Sequence, residues 1–364
     1  MTKARDIADN AGQGSGGGNK NLAINGAMNV AQRSTSVTGV GASAGYFTCD
    51  RWYINSANTA GRLTMSQASD GPSGFANCIK LDCTTADTSV ASNESLRLIQ
   101  KFEGQDLQRF AKGTSAAKEF TVSFYVKANA AFTFGCELFD NDNSRQISKT
   151  FSTTTDWVRH EITFPADTTG AFADDNALSL QLQFWLHAGS DFTSGTLNST
   201  SWASNTDANR AVGIGSFFSS TSNDFYITGV QLEVGDTATD FEHRSFADEL
   251  QRCKRYFQIY GNTAYHPFFE AGSYNTTNAV GFYMLDGSMR ASPTTSTAGT
   301  FQASNYTTSA LSSLTNYGYL ETDGTAIMIQ GSCVGSAGNF GNGLFLRIRA
   351  NNDTSARMKF DAEL

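Results

Sequence analysis

The sequence predicts an all-β protein, and three observations support that prediction. Charged residues make up 16% of the 364 residues and proline accounts for only 4 of them, whereas aromatic residues reach 12%. Disordered chains have the opposite composition, with high charge and few aromatic residues, while Thr and aromatic residues suit half-buried strands. Apolar and polar residues also alternate along several segments, which is the pattern of strands with one buried face.

The alternating segments define the strands of a β-sandwich. Apolar residues recur at every second position in Phe120–Val126 and Leu178–Leu186, and Val158–Phe164 follows the same pattern with His160 at one of these positions. A further alternating segment, Phe132–Leu138, is followed by Asp140-Asn141-Asp142-Asn143, a run of turn-forming residues. Strands of this length separated by turns predict an antiparallel sandwich.

One amphipathic helix is predicted from Ser245 to Tyr260. Ser245 can cap its N-terminus, and Asp248 and Glu249 lie in the first turn, where the helix dipole favours negative charge. Gly261 is a typical residue at which a helix ends. The apolar residues that share one helix face are Phe246, Leu250, Cys253 and Phe257.

These elements divide the chain into four parts. Residues 1–20 form an N-terminal attachment segment that ends in a Gly-rich tether, and residues 21–237 form a large β-sandwich. Residues 238–261 contain the linking helix, and residues 262–364 form a second, smaller β-sandwich of ordinary domain size. The tether contains a G-x-G-x-x-G pattern, but no strand precedes it, so a flexible linker is the better interpretation.

Charge and hydropathy exclude several classes of function. The chain has 26 basic and 34 acidic residues, a formal net charge of −8, which disfavours binding to nucleic acid or to an anionic membrane surface. No segment approaches the ~18 apolar residues of a membrane span. The first ten residues lack the apolar run of a signal peptide, so we expect synthesis in a cytoplasm and no membrane association.

No motif for a cofactor, a metal ion or catalysis is present, and we expect none. The six cysteines form no C-x-x-C pair and the four histidines are scattered, so reduced, buried thiols are predicted. Residues 140–144 begin like a calcium loop, but Arg145 and Phe151 stand where that loop needs Gly and Glu. Glu137 and Glu161 lie in predicted strands and would form a glycosidase pair only at a separation of ~5–10 Å.

The polar faces of two strands carry the candidate carbohydrate-binding residues. An exposed aromatic ring can stack on a sugar, while amide and ammonium groups bond its hydroxyls. The alternative is that a loop or a second subunit covers the tryptophan, and the pattern leaves both open. The candidates are Gln181, Gln183, Trp185 and His187 on one strand, and Tyr125 and Lys127 on another.

Several segments resemble jelly-roll carbohydrate-binding modules. Asn21-Leu22-Ala23-Ile24-Asn25-Gly26 is similar to the opening of such modules, and Phe120–Ala128, Trp157–Phe164 and Asp224–Glu233 are similar to their later strands. The resemblance implies a jelly-roll fold for residues 21–237. The acidic ligands that hold a structural calcium in many such modules are missing here, so no calcium is expected.

Other segments resemble virion proteins of tailed bacteriophages, of the tail-fibre or structural type. The resemblance implies a non-enzymatic virion protein, a tail-fibre or receptor-binding component that recognises a host surface polysaccharide. It also implies a homo-oligomer, typically a trimer, that is assembled in the bacterial cytoplasm and joins other virion proteins through residues 1–20. The segments are Ile227–Gly235, Phe241–Ser245, Cys253–Phe257, Met289–Thr294 and Asp361–Leu364.

Two alternatives to receptor binding stay open. One is a capsid decoration, head fibre or tail component without glycan binding, in which the polar strand faces are buried between subunits. The other is a polysaccharide depolymerase, which would need a pair of carboxylates in a groove.

Overall fold

The computed structural model describes residues 19–273, 278–304, 312–322, 326–333, 343 and 345–364, with the backbone alone for 312–322 and 326–333. Of the predicted attachment segment, residues 1–18 lie outside the described residues. The chain divides into two compact units. The first comprises Met1–Asn29, Ser36–Gly45 and Tyr53–Phe246, and the second comprises Val30–Thr35, Tyr46–Trp52 and Ala247–Leu364.

The predicted all-β class is confirmed, since strands form nearly all of the regular structure. The strands are β1 (Ser36–Val40), β2 (Gly45–Tyr46), β3 (Tyr53–Ala57), β4 (Arg62–Ala68), β5 (Cys78–Thr85), β6 (Ser95–Glu103), β7 (Phe120–Ala128), β8 (Thr133–Asp140), β9 (Arg145–Ser152), β10 (Val158–Phe164), β11 (Leu178–Ala188), β12 (Ala203–Ser204), β13 (Asp224–Val234), β14 (Phe257–Gly261), β15 (Pro267–Ser273), β16 (Asn278–Met284), β17 (Thr294–Ala298), β18 (Phe301–Ser304), β19 (Ser312–Thr322), β20 (Ala326–Cys333), β21 (Phe345–Ala350) and β22 (Arg357–Asp361). The α-helices are α1 (Ser190–Thr193) and α2 (Phe246–Lys254), and the 3₁₀ turns are Gly104–Asp106, Gln108–Phe110, Asp207–Asn209 and Phe217–Ser219.

Two antiparallel sheets form the first unit, as the predicted sandwich requires. Six strands pair in the order β1-β4-β5-β13-β7-β10, and seven in the order β12-β9-β8-β11-β6-β3-β2. Aromatic side chains at alternate strand positions fill the space between the sheets. The Phe124 and Phe184 rings lie 4.9 Å apart, and the Phe134 and Phe225 rings 5.5 Å apart. The period-two pattern therefore identified the buried faces of β7, β8 and β11.

A buried lysine connects the β8–β9 turn to a neighbouring loop. The turn predicted at residues 140–143 joins β8 to β9. The Lys112 ammonium group is buried 2.5 Å from Asp140 Oδ2 and 3.1 Å from Asp167 Oδ2, and it also donates to the carbonyl groups of residues 169 and 170. Although burial alone raises the pKa of Asp167, hydrogen bonds from Arg145 and Lys112 hold that pKa below its ordinary value. Four oxygen atoms thus surround one ammonium group and fix the loop.

The cysteines of the described side chains are free, as predicted. Cys49, Cys78, Cys83, Cys136 and Cys253 are all buried. Desolvation by burial raises the pKa of both Cys78 and Cys83 to about 11. These thiols are therefore protonated at neutral pH and behave as small apolar side chains.

The second unit is all-β as well, but its strands are arranged differently from the expected sandwich. Six strands close a barrel in the order β15-β16-β20-β19-β18-β21, and β14-β22-β17 form a separate three-stranded sheet. Closure pairs both edges of a six-stranded sheet, which removes the unpaired edge groups that an open sheet leaves. The apolar cluster of this unit includes Phe301, Leu346, Ile348, Met358 and Phe360.

The linking helix is shorter than the predicted span Ser245 to Tyr260. Helix α2 ends at Lys254, and residues 257–261 form β14, in which Phe257 lies opposite Asp361 of β22. Phe246, predicted on the buried helix face, is 59% exposed. The helical spacing was misleading because pairing with the C-terminal strand, which local periodicity cannot show, determines the conformation of residues 257–261. Gly261 ends β14 with φ +111°, a value that favours glycine.

Two early segments of the chain pack in the second unit and hold its C-terminus. Arg51 is buried and pairs with Glu363, and its guanidinium group lies 3.4 Å from the centre of the Tyr256 ring. Arg33 contacts Asp361 at 3.0 Å and Glu363 at 3.3 Å. Residues 30–35 and 46–52 therefore contribute the cations that neutralise the acidic end of the chain.

We expect Lys112→Met to lower the free energy of unfolding of the first unit by about 3–5 kcal/mol, because it leaves the buried Asp140 carboxylate without its cation, whereas Asp167 keeps its ion pair with Arg145. Urea unfolding followed by circular dichroism measures this loss. Lys118→Met is the matched control, since Lys118 is exposed on the same segment and should change stability by less than about 0.5 kcal/mol. A loss below about 1 kcal/mol for Lys112→Met would show that the cluster does not stabilise the unit.

Candidate binding face of the seven-stranded sheet

Polar and aromatic side chains cover the outer face of the seven-stranded sheet. Directly opposed residues of antiparallel strands project from the same face, so the strand register defines which side chains are neighbours. The three rows on this face are Asn55–Arg97–Trp185–Gly135, Tyr53–Ile99–Gln183–Glu137 and Lys101–Gln181–Phe139. Gln181, Gln183 and Trp185 do share a face, as their spacing predicted.

Trp185 is completely buried, so the expectation of an exposed ring is wrong. The segment 189–215, which follows β11, folds back over it, and the Phe192 ring lies 5.2 Å from the Trp185 ring. This segment is hydrogen-bonded to β9 through Asn198 and to the start of β8 through Gly215. The alternative that a loop covers the tryptophan is therefore correct. Gln183 is buried as well.

His187 lies on the other face of the strand. The register shifts between Trp185 and His187, and His187 pairs with Leu96, an inward-facing residue of β6. Such a β-bulge turns the following side chain to the opposite face of the sheet. The imidazole group is fully buried, 2.8 Å from Ser216 Oγ and 3.1 Å from Glu94 Oε2, so it is inaccessible to a sugar.

Glu137 holds the covering segment in place. Its buried carboxylate accepts a hydrogen bond from Trp185 Nε1 at 2.7 Å and two from Arg210, at 2.8 Å from Nε and 3.0 Å from a terminal nitrogen. Burial alone would lower the pKa of Arg210, but the Glu137 carboxylate keeps that pKa above its ordinary value. Glu161 belongs to β10 of the other sheet and pairs with Arg159. Glu137 and Glu161 therefore form no catalytic pair.

The part of the face that the segment leaves accessible is called the open patch, and its members are partly exposed. A chain of side-chain hydrogen bonds fixes its polar groups. Arg97 donates to Asn55 Oδ1 at 2.7 Å and to Gln183 Oε1 at 3.0 Å. Gln183 donates in turn to Gln181 Oε1 at 3.3 Å. The members of the open patch are Tyr53, Arg97, Lys101, Phe139 and Gln181.

Each of the two cations of the open patch lies against an aromatic ring. The Lys101 ammonium group lies 4.2 Å from the centre of the Tyr53 ring, and the Arg97 guanidinium carbon lies 4.7 Å from the centre of the Trp185 ring. Burial lowers the pKa of Arg97 to about 10, so the group is still charged at neutral pH. Rings beside N–H donors and amide oxygens match the apolar faces and hydroxyl groups of a sugar.

Tyr125 and Lys127 belong to a different surface, because β7 lies in the six-stranded sheet. Lys127 Nζ is 2.7 Å from Asp70 and lies 4.6 Å from the Tyr226 ring and 5.4 Å from the Trp157 ring. Tyr125 packs against the Phe75 ring at 5.3 Å. The six predicted residues are thus divided between two sheets, and only Gln181 lies in the open patch.

Four members of the open patch were not among the residues predicted from the sequence, namely Tyr53, Arg97, Lys101 and Phe139. Arg97 and Lys101 occupy alternate positions of one strand, as do Glu137 and Phe139, so a period-two pattern was available there. The pattern could not show which strands are neighbours, because strand order depends on pairing between distant segments.

No protein-family model matches the chain, and no curated protein matches it. Three similar solved structures are a CBM4 carbohydrate-binding module, the module TmCBM61 in complex with β-1,4-galactotriose, and the enzymatically active domain of tailspike protein 4 of bacteriophage CBA120. Their identities are 13%, 10% and 10%, with TM-scores of 0.31, 0.30 and 0.30. The matches cover 58%, 59% and 59% of this chain, and 97%, 99% and 21% of the respective neighbours. Similarities this low say nothing about the ligand of this chain.

The described part of the chain contains no group of three or more His, Cys, Asp or Glu side chains placed to hold a metal ion. None of its helices has the length and apolar character needed to cross a membrane.

We expect Trp185→Ala to lower the free energy of unfolding by about 3–5 kcal/mol, because it opens a cavity beneath residues 189–215. It also removes a hydrogen bond to the buried carboxylate of Glu137. Gln181→Ala, two residues away on the same face, should change stability by less than about 0.5 kcal/mol. Chemical unfolding of both variants measures the two free energies of unfolding. Equally small losses of stability in both variants would contradict the burial of Trp185.

Proposed function

We propose that the protein is a glycan-binding protein and that the open patch is its binding surface. The observation that carries the proposal is the buried side chain of Gln183, which accepts a hydrogen bond from Arg97 and donates one to Gln181. Because adjacent strands and a buried partner hold these groups, their positions are set before a ligand arrives. Such preorganisation reduces the entropy lost on binding.

The charges of the open patch favour an acidic glycan. Its five members include two cations, Arg97 and Lys101, and no carboxylate, although the chain as a whole carries a formal charge of −8. A local cationic surface on an acidic protein attracts anionic ligands selectively. We therefore propose polysaccharides with carboxylate or phosphate groups as the ligand class.

We also propose that the protein is a virion component of a tailed bacteriophage, in a tail fibre or receptor-binding role, and that it self-associates. The support is the resemblance of Ile227–Gly235, Phe241–Ser245 and Cys253–Phe257 to such proteins. In this proposal residues 1–20 join the protein to other virion proteins, and the open patch contacts the surface polysaccharide of the host. A head-fibre or decoration role without glycan binding is the second candidate. Substitution of the open-patch side chains would leave that role unchanged.

Binding to an array of purified capsular polysaccharides and O-chain glycans tests the glycan proposal. We expect the full chain to bind at least one acidic glycan of the array. Tyr53→Ala and Gln181→Ala should each weaken that binding about tenfold or more, because each removes a stacking or hydrogen-bonding group worth about 1.4 kcal/mol or more. Melting temperatures should stay within a few degrees of wild type.

Tyr226→Ala is the matched control, since it removes a half-exposed ring from the six-stranded sheet. It should leave glycan binding unchanged. Reducing ends are measured in parallel, and their release would indicate a depolymerase. The proposal fails if no glycan binds, or if Tyr226→Ala weakens binding while Tyr53→Ala does not.

Deletion of residues 1–20 tests the virion proposal. We expect the truncated chain to stay folded, with the circular dichroism spectrum of the full chain, and to be absent from purified particles when it replaces the full chain during phage assembly. Incorporation of the truncated chain at the wild-type level would place the attachment site elsewhere in the protein.

A further inference from the structure

One outer surface of the C-terminal barrel concentrates exposed apolar side chains. Six large apolar residues of the described chain are exposed, and three of them lie on this surface: Phe282 is 62%, Met284 69% and Phe345 80% exposed. The full set of six also includes Val90, Phe246 and Tyr265. Half of the exposed large apolar side chains among the described residues therefore lie on β16 and β21 of one barrel.

The strand register places these three side chains on one face. Phe345 of β21 lies opposite Gly272 of β15, and Gly272 lies opposite Val280 of β16. Phe282 and Met284 follow Val280 at every second position and so project to the same side. The residues between them point inward, as the burial of Ala271, Ala279 and Leu346 shows. The barrel face is defined as Gly272, Val280, Phe282, Met284 and Phe345.

The barrel face has a projection and a hollow side by side. Phe345 projects from β21, and no heavy atom of the described residues lies within 4 Å of a Cβ placed on the neighbouring Gly272. Adjacent strands are ~4.8 Å apart, so the β21 and β16 backbones on either side of Gly272 are ~10 Å apart, and the side chains of these two strands border a groove with Gly272 at its floor. Side-chain rows at that backbone spacing leave room for one aromatic ring between them.

A shape that carries both the projection and the hollow is complementary to itself. In a contact with two-fold symmetry, each copy presents the same surface, and residue i of one copy contacts residue j of the other while j contacts i. Phe345 of each copy can then occupy the Gly272 hollow of the other. Beside them, Glu270 and Arg347 form a half-exposed ion pair at 3.0 Å. Across a two-fold axis, Glu270 of each copy would face Arg347 of the other copy.

We propose that the barrel face binds a second copy of this chain through a two-fold contact centred on Phe345 and Gly272. A buried aromatic side chain covers ~150–250 Å², so the three exposed side chains supply on the order of 400 Å² of apolar surface per copy. That is about half of the ~800 Å² that each partner contributes to a standard interface. The contact lies in the barrel and uses no residue of the open patch. A test of the dimer contact therefore does not depend on whether the open patch binds a glycan.

Sedimentation velocity of the full chain between 1 and 100 µM tests this contact. We expect a dimer for the wild type, in place of the trimer that the resemblance to virion proteins implies, and at least a tenfold weaker self-association for Phe345→Ser. Phe246→Ser is the matched control, because it removes another exposed phenylalanine, and it should leave self-association unchanged. Circular dichroism melting of each variant confirms that it is folded, and glycan binding per chain should persist in Phe345→Ser.

A second variant, Gly272→Leu, separates specific docking from general apolar adhesion. It fills the hollow while adding apolar surface, so the proposed contact predicts at least tenfold weaker self-association, whereas adhesion of apolar surfaces predicts stronger association. A wild-type chain that is monomeric at 100 µM would overturn the proposal. An oligomer of any size that persists in Phe345→Ser, or that Gly272→Leu strengthens, would overturn it as well.

Discussion

The buried ion pair between Glu137 and Arg210 determines which part of the seven-stranded sheet a ligand can reach. It fixes residues 189–215 against the outer face, and the same carboxylate binds the indole nitrogen of Trp185. Removing one partner of such a pair leaves an uncompensated buried charge, which is more costly than the net value of the pair suggests. Without this segment, the face would present Trp185. With it, the accessible side chains are those of the open patch.

Buried charges serve the same purpose elsewhere in the chain. Lys112 fixes a loop to the β8–β9 turn through two carboxylates and two carbonyl groups, and Arg51 and Arg33 fix the acidic C-terminus in the second unit. Charged residues are only 16% of the sequence, yet several lie in these clusters. In each case an ion pair positions a loop or a terminus that apolar packing alone would leave less restricted.

Alternation of apolar and polar residues predicted the strands and their buried faces, because successive side chains of a regular strand point to opposite faces of the sheet. It also placed Gln181, Gln183 and Trp185 on a common face. It could not predict that Trp185 is covered, since the covering residues are fixed by pairing with β8 and β9. The bulge that turns His187 inward, and the pairing of β14 with β22, likewise depend on contacts between distant segments.

The proposed binding surface depends on these long-range contacts more than the individual strands do. The binding residues in the proposal come from β3, β6, β8 and β11, which the sheet order brings together, and only Gln181 was found from the sequence. The apolar surface of the barrel forms only because barrel closure places β21 beside β15, which in turn pairs with β16. Local patterns thus predicted the elements, and their pairing determined the surfaces.

The most direct measurement is a nuclear magnetic resonance titration of the labelled full chain with an acidic oligosaccharide that binds on the array. Binding at the open patch predicts that the side-chain amide of Gln181 and the guanidinium N–H groups of Arg97 shift with ligand concentration. The resonances of Lys127 and Tyr226 on the other sheet should not move. Shifts confined to the six-stranded sheet, with Gln181 and Arg97 unchanged at saturation, would contradict the account.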